Sequence, residues 1–407
     1  MKKGIYAFSG DPITYGHLHV IEKAVPHYER LYVAIGENPD KRYLFTLEER
    51  VDMARRVLAH LPSVHVCSFR GLLVDFAYEH CIDEIVRGLR DNTDMEYEVR
   101  VKSINDSQRL GVSTVFFPCD DNKAHISSSA VKALQREQGL IHEYVPLYVK
   151  QKLEEKISGQ FIVGLTGGIA TGKSRFASLL GEQAGRRGIA FHHIDLDRLV
   201  HYILGPSPEP RYRLCREQLV ERFGPEVALP DGGINRRRLG QIVFADPAEM
   251  KKLDEVIYEP IMLKLRRELY GRRGLILLEA ALLADKDYLY LCNNNVIVVT
   301  ARPEVQTTRL LARDGSDPRG PLTPEQAMRR VRSQWSNEEK LARIRARQER
   351  DHQGFLVHVE NNADTPLDAE AARAMDEVVA AFPALGGLTA ARSNTTTKAS
   401  PVESAGP

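Results

Sequence analysis

Cysteine is sparse and scattered. Cys67, Cys81, Cys119, Cys215 and Cys292 are the five in 407 residues, and no two form a Cys-x-x-Cys pair. That spacing supports neither a disulfide framework nor a thiolate zinc site, and it predicts reduced, mostly buried thiols. An excess of either charge is also missing: Lys plus Arg total 56 against 55 Asp plus Glu, a formal net charge of +1. No global field therefore draws the chain to a nucleic-acid backbone or an anionic membrane. Long apolar runs are missing too. The longest, Leu275 to Ala284, is interrupted by Glu279 and falls well short of the roughly 18 residues of a membrane span. The first residues run almost at once into a strand-like Gly4-Ile5-Tyr6-Ala7-Phe8, so the expectation is a cytoplasmic chain without an export signal.

What is present reads as folded protein. Hydrophobic residues make up 43% and charged residues 27%, enough apolar side chain for full cores, and the length implies two or three domains. Short apolar runs alternate with helical patterns, the signature of parallel strands joined by crossover helices. Strands are predicted in the first half at Ile5 to Phe8, Leu31 to Ile35, Val64 to Cys67, Glu84 to Val86 and Thr114 to Phe117. The pattern restarts at Phe161 to Leu165 and continues at Ala190 to Ile194, Leu275 to Leu278, Val296 to Val299 and Phe355 to Val359. A charged, apolar-poor stretch from Lys150 to Gln160 separates the halves. The expected fold class is α/β, with two doubly wound parallel-sheet domains at 1–158 and 159–383. The tail 384–407, rich in Gly, Ser, Thr, Ala and Pro, is expected to be disordered.

Gly167-Gly168-Ile169-Ala170-Thr171-Gly172-Lys173-Ser174 follows a predicted strand and opens a helix, the context that gives a G-x-x-x-x-G-K-S pattern its meaning. In such a loop backbone N–H groups curl round phosphate oxygens, Lys173 reaches the β and γ phosphates, and Ser174 ligates magnesium. Asp195 and Asp197, in His193-Ile194-Asp195-Leu196-Asp197, fall where a strand ends, at the sheet edge where α/β folds bind ligands. Asp197 is the candidate general base, with Asp195 nearer the metal or the loop; alternatively one of them only caps the helix that follows. Arg309 and Arg313 lie four apart on one helix face, which could close over a triphosphate or simply face solvent.

These segments, with Gly233-Ile234-Asn235-Arg236-Arg237-Arg238-Leu239 and Val243-Phe244, resemble the dephospho-coenzyme A kinase family over about residues 160 to 382. The resemblance implies a P-loop kinase with a helical lid. ATP would be held by Gly167, Gly168, Ile169, Ala170, Thr171, Gly172, Lys173 and Ser174, Asp197 would take the proton of a ribose 3′-hydroxyl, and the lid would carry Arg309 and Arg313; Gln334 also matches a family position. The chain departs from the family at Ala170-Thr171, usually Gly-Ser; at Glu259-Pro260, usually His-Pro; and at Ala281 to Asp285, usually Pro-Leu-Leu-x-Glu. The last two touch the acceptor side.

In the first half, Ser9-Gly10-Asp11-Pro12-Ile13-Thr14-Tyr15-Gly16-His17 follows the first strand, with Gly16 and His17 at a helix start that would attract phosphate. His17 could donate to a phosphate oxygen there, although a lone histidine at a helix start is more often a surface residue. Lys41 after the second strand, and Arg87 and Arg90 after the fourth, converge on one crevice at strand carboxyl ends. Ser127, Ser128 and Ser129 open a later helix and offer hydroxyls and N–H groups to phosphate, or serve as its cap. The set suits in-line nucleotidyl transfer, which needs two oriented phosphates and neutralised charge rather than a nucleophile on the protein.

With Leu44 to Arg50 and Asp94 to Glu98, these segments look like bacterial-type phosphopantetheine adenylyltransferase, a Rossmann-like nucleotidylyltransferase, over about residues 3 to 155. The resemblance implies 4′-phosphopantetheine at Ser9, Lys41, Leu73 and Arg87. It implies ATP at Ser9, Gly10, His17, Gly88, Leu89, Arg90, Glu98 and the loop from Lys123 to Ser129. The departures are Phe8-Ser9-Gly10 in place of Gly-Thr-Phe, and Lys123 where Trp is common.

The product of the first implied activity, dephospho-coenzyme A, is the acceptor of the second. Together the resemblances imply the last two steps of coenzyme A synthesis, with ATP as substrate and Mg2+ at both sites, small-molecule partners, no nucleic acid and no membrane, and a homo-oligomer left open. One rival keeps the folds and changes the substrates. A second is a nucleotide-gated switch, which lacks an Asn-Lys-x-Asp guanine motif because Asn122-Lys123 is followed by Ala124-His125. A third, nucleic-acid binding through Arg329, Arg330, Arg332, Arg343, Arg345 and Arg347, is opposed by Glu338, Glu339 and Glu349, whose mixture reads as solvated helix faces.

Overall fold

Each half of the chain builds one five-stranded, wholly parallel sheet. The computed structural model describes all residues except 1, 90–91, 121–125, 244–245, 282, 315–322, 333, 363, 365 and 387–407, and the side chains of 92, 93, 247, 313 and 314. In the first half, β1 (Lys3–Phe8), β2 (Arg30–Gly36), β3 (Val64–Phe69), β4 (Glu84–Leu89) and β5 (Ser113–Pro118) lie in the order β3-β2-β1-β4-β5. They are joined by α1 (Tyr15–Ala24), α2 (Leu47–Val57), α3 (Leu73–Glu79) and α4 (Asn92–Ser107), and followed by α5 (Ser128–Arg136) and α6 (Leu147–Leu153). The period-two alternation of β1 shows why it is central: Ile5 and Ala7 pack with Val74 and Ala77 on one face, Tyr6 with Val20 and Ala54 on the other.

In the second half, β6 (Gln160–Thr166), β7 (Phe191–Asp195), β8 (Gly274–Glu279), β9 (Val296–Thr300) and β10 (Leu356–Glu360) take the order β10-β9-β6-β8-β7. Around them run α7 (Lys173–Arg186), α8 (Leu196–Leu204), α9 (Pro210–Phe223), α10 (Arg236–Val243), α11 (Pro247–Leu269), α12 (Pro303–Asp314), α13 (Pro324–Arg332), α14 (Asn337–Asp351) and α15 (Leu367–Ala381). β6, β8 and β9 are buried along their whole length, because helices cover both faces of the sheet; hence their nearly unbroken apolar sequences. In both sheets the first strand is central and the chain leaves it in two directions, so a crevice opens at its carboxyl end. The α/β class and the two doubly wound sheets are as expected. No helix among the described residues is long and apolar enough to cross a membrane.

Several local expectations need correction. Arg87, Gly88 and Leu89 are not in a loop: they extend β4, paired with Phe116, Phe117 and Pro118. The charged stretch from Lys150 is α6 and a π turn, Glu154–Ser158, with Lys150, Gln151 and Glu154 buried among partners of the second half. Gly159, left-handed at φ 64, ends that turn before β6. Ordered structure also runs past 383, because Leu385 in the turn Pro383–Leu385 is buried in the second-half core.

Candidate active sites

The first crevice is organised by α1. Its cap is Thr14, whose backbone N–H donates to His17 Nδ1 at 3.1 Å, with Thr14 Oγ1 2.9 Å from the same nitrogen. A backbone N–H can only donate, so Nδ1 is unprotonated and the neutral ring carries its hydrogen on Nε2. Phe8 stacks on the imidazole with ring centroids 4.3 Å apart, fixing its plane. A cavity of about 760 Å³ opens here, lined by Ser9, Gly10, Gly16, His17, Lys41, Arg42, Arg87, Gly88, Glu98 and Ser127 to Ser129.

Buried charges hold the walls of this cavity. Asp11 is 5% exposed; it accepts from Leu44 N at 3.1 Å and Phe45 N at 2.9 Å, and pairs with Lys132 at 2.6 Å. One carboxylate thus ties the segment after Lys41 and the helix α5 to the loop after β1. Arg50, also buried, donates to the carbonyls of Ser9 at 2.6 Å and Gly36 at 2.9 Å, with its guanidinium 4.0 Å from the centre of the Tyr43 ring. Ser128 Oγ donates to Pro12 O at 2.8 Å, whereas Ser127 accepts from Ala130 N and caps α5. Arg87 and Glu98 form an ion pair at 3.1 Å. Gly88 is demanded by packing, since a Cβ there would lie 2.7 Å from the Val20 side chain.

The second crevice holds the loop between β6 and α7. A Cβ on Gly167 would collide with the Val299 carbonyl, one on Gly172 with the Asn361 amide, and one on Gly168 would lie 2.7 Å from Gln306 Nε2. Lys173 Nζ donates to the carbonyls of Gly167 at 3.0 Å and Gly168 at 2.9 Å, and burial lowers its pKa. Gln306 donates to Ile169 O at 2.7 Å and Gln334 accepts from Ile169 N at 2.7 Å. Asn361 donates to Thr171 O at 2.7 Å. Arg309 lies over the loop, bonded to Asn361 Oδ1 at 3.1 Å and, more loosely, to Ala170 O at 3.5 Å and Thr171 O at 3.4 Å.

Three carboxylates meet this loop. Parallel register puts Glu279 beside Leu165 and Asp195 at the carboxyl ends of β6 and β7. Glu279 accepts from Ser174 Oγ at 3.2 Å and bonds His193 Nε2 at 2.8 Å. Burial would raise its pKa, but the hydrogen bond and charge of His193, with Lys173 nearby, outweigh burial and hold it below the ordinary value. Asp195 caps α8, accepting from Arg198 N. Asp197, the second residue of that helix, has its pKa raised by desolvation and then by the Asp195 charge. Beside it a cavity of about 250 Å³ is walled by Leu196, Val200, Leu239, Ile257 and Tyr288, with His201 and Arg236 at its polar side.

Comparison with known proteins separates the same two stretches. Residues 9–134 match the family model described as cytidylyltransferase-like, and residues 161–348 match the dephospho-CoA kinase family model. A phosphopantetheine adenylyltransferase of Actinobacillus pleuropneumoniae is 41% identical over 152 residues, 37% of this chain and 96% of its own length. One from Clostridium perfringens is 40% identical over 158 residues, 39% of this chain and 96% of its own. The chain belongs to the phosphopantetheine adenylyltransferase family. A dephospho-CoA kinase domain follows in the same polypeptide. A crystal structure from Thermus thermophilus aligns with 55% of this chain and 98% of its own, at 28% identity and a TM-score of 0.41.

Within the adenylyltransferase half, the cavity gathers Ser9, Gly10, His17, Lys41, Arg87, Gly88, Glu98, Ser127, Ser128 and Ser129. Leu73 does not line it, and packs instead with the core of Val74, Ala77 and Ile82; Leu89, at the end of β4, is also outside the lining. Arg90 and Lys123 lie outside the described residues, as does the side chain of Arg313. In the kinase half, Glu259 is exposed on α11 and away from the cavity beside Asp197. Asp285 pairs at 2.6 Å with the buried Lys340. Sequence reasoning passed over Asp11, Arg50, Lys132, Glu279 and His193. A lone acid in an otherwise apolar strand was the available signal for Glu279.

Proposed function

We propose that this chain acts as a bifunctional coenzyme A synthase, with an adenylyltransferase unit at residues 1–158 and a kinase unit at 159–383. The single observation that carries it is the fusion itself: a stretch 41% identical to a phosphopantetheine adenylyltransferase over 96% of that enzyme precedes a dephospho-CoA kinase match at 161–348. The first product is the second acceptor. In the first reaction, the phosphate of 4′-phosphopantetheine attacks the α-phosphorus of ATP and pyrophosphate leaves, giving dephospho-coenzyme A. His17, with its hydrogen on Nε2, donates to a phosphate oxygen, and Lys41, Arg87 and Arg90 supply positive charge for the oxygens that gain it. Asp11 and Arg50 hold the loops that carry these groups.

In the second reaction, the ribose 3′-oxygen of dephospho-coenzyme A attacks the γ-phosphorus of ATP, Asp197 takes its proton, and ADP leaves. The apolar cavity beside Asp197 suits the acceptor, and Lys173 with the loop N–H groups suits the phosphates. Ser174 and Glu279 offer the hard oxygen donors that fit a magnesium ion arriving with ATP; when bound, it neutralises phosphate charge. The same proposal includes a cytoplasmic enzyme, where thiols such as Cys215 and Cys292 stay reduced.

The test is a product assay on the purified chain with ATP, magnesium and either 4′-phosphopantetheine or dephospho-coenzyme A, read by mass. Coenzyme A from both starting points is expected. Accumulation at dephospho-coenzyme A would refute the kinase assignment, and absence of product from 4′-phosphopantetheine would refute the first.

A further inference from the structure

The join between the halves is a buried polar seam. Lys150 on α6 is 5% exposed and Glu154 4%, against Asn293 at 0% and Asn295 at 2%. Lys150 Nζ donates to Glu154 Oε1 at 2.5 Å and to Asn293 Oδ1 at 3.0 Å, and Asn293 Nδ2 returns a bond to Glu154 Oε2 at 2.5 Å. At the next residue of the helix, Gln151 Oε1 accepts from Asn295 Nδ2 at 3.0 Å and Gln353 Nε2 at 2.6 Å. Asn293 and Asn294 sit at positive φ, 54° and 58°, a conformation that asparagine tolerates better than most residues. The Asn-Asn-Asn run is thereby explained by backbone and partner together.

The seam lies against one element that leads to each catalytic loop. Asn295 O accepts from Gly164 N at 2.8 Å, so the seam lies against β6, the strand that ends in the Lys173 loop. On the other side, Val149 and Leu153 belong to the first-half core while Leu147 belongs to the second. Ser158 Oγ accepts from Gln135 at 3.0 Å and Gln138 at 3.1 Å, at the far end of α5, whose start carries Ser127 to Ser129. A buried ammonium with its partners satisfied specifies one docking geometry, and removing one partner leaves a charge that cannot reach water.

We propose that Asn293, Asn295 and Gln353 form a docking surface whose occupant is this chain's own α6, and that it joins the two catalytic units into one cooperative folding unit. A flexible tether between two enzymes would leave each sheet to open alone; the seam makes them open together. This inference does not depend on the substrates of either site.

The experiment is native-state hydrogen exchange on the full chain, followed by mass in peptides spanning β1 and β6, the central strands of the two sheets. In the unaltered protein both strands should exchange through one opening, with rates that rise in parallel as denaturant is added. Glu154→Ala should speed exchange in both by roughly a hundredfold. Lys150→Met with Glu154→Leu, which removes both charges and leaves only the neutral Asn293 amide without its two partners, should keep the two rates equal to each other. Asp376→Ala, which removes only the exposed ion pair with Arg187, should move neither. Strands that exchange at separate rates in the unaltered chain overturn the proposal, as does a Glu154→Ala effect confined to one sheet. If Glu154→Ala does not fold, the unaltered chain and its denaturant dependence still decide.

Discussion

The two crevices stand at the same place on the same kind of sheet, and their charges are arranged differently. In the first, the acids are spent on cations: Asp11 on Lys132, Glu98 on Arg87. The histidine is fixed as a donor by a backbone N–H. In the second, Asp197 stands next to Asp195 at the start of one helix, where desolvation and the Asp195 charge raise its proton affinity, and Lys173 is held half-buried against its own loop. The difference follows the nucleophile. A phosphate monoester attacks as an anion and asks only to be oriented, whereas a ribose hydroxyl must lose a proton and needs a base poised to take it.

The sharpest way to break this comparison is to silence one crevice and watch the other. Lys173→Ala removes the charge proposed to meet the β and γ phosphates, and should lower the kinase kcat by roughly 10³-fold or more. Dephospho-coenzyme A formation should stay within about twofold. Mass detection of both products in one reaction checks it, and loss of both activities with an intact fold would mean that the crevices do not work separately. His17→Ala is the mirror experiment, with an expected loss of roughly 10² to 10³-fold in adenylyl transfer and an unchanged kinase. Asp11→Asn, which keeps the shape but gives up the charge held against Lys132, should cost about tenfold in kcat/KM of the first step. That loss should fall mainly on KM, because the segment bearing Lys41 is loosened while His17 is untouched.

What was legible in the sequence was what repeats locally. Apolar runs announced the strands, and glycine spacing announced the Lys173 loop, because both depend on neighbours in the chain. The cap of α2 is of the same local kind: Thr46 and Glu49, three residues apart, exchange its two bonds. Glu279 stayed hidden because its partners His193 and Ser174 lie 86 and 105 residues away. Charge misled at α6, where Lys150, Gln151 and Glu154 suggest solvent; their partners Asn293, Asn295 and Gln353 belong to the other half and come near only on folding. The sequence favours Asp197 as the base and leaves open which of the two acids caps the helix; the bond from Arg198 N shows that Asp195 does.

That last distinction gives the subtlest test. In its proposed role as base for the 3′-hydroxyl, Asp197 must be ionised, so the kinase rate should fall as pH drops through its raised pKa. Burial is the larger cause of the raised value and the Asp195 charge the next. Asp195→Asn keeps an oxygen to cap Arg198 N and removes the negative charge, so the ionised form of Asp197 becomes easier to reach. The acid limb of kcat against pH should move to lower pH without reaching the ordinary carboxylate range, because burial remains. The plateau rate should change little, and the adenylyl transfer profile not at all. A limb that stays in place would assign the titrating group to something other than Asp197, and a limb that moves to higher pH would mean that Asp195 supports the ionised base instead of opposing it.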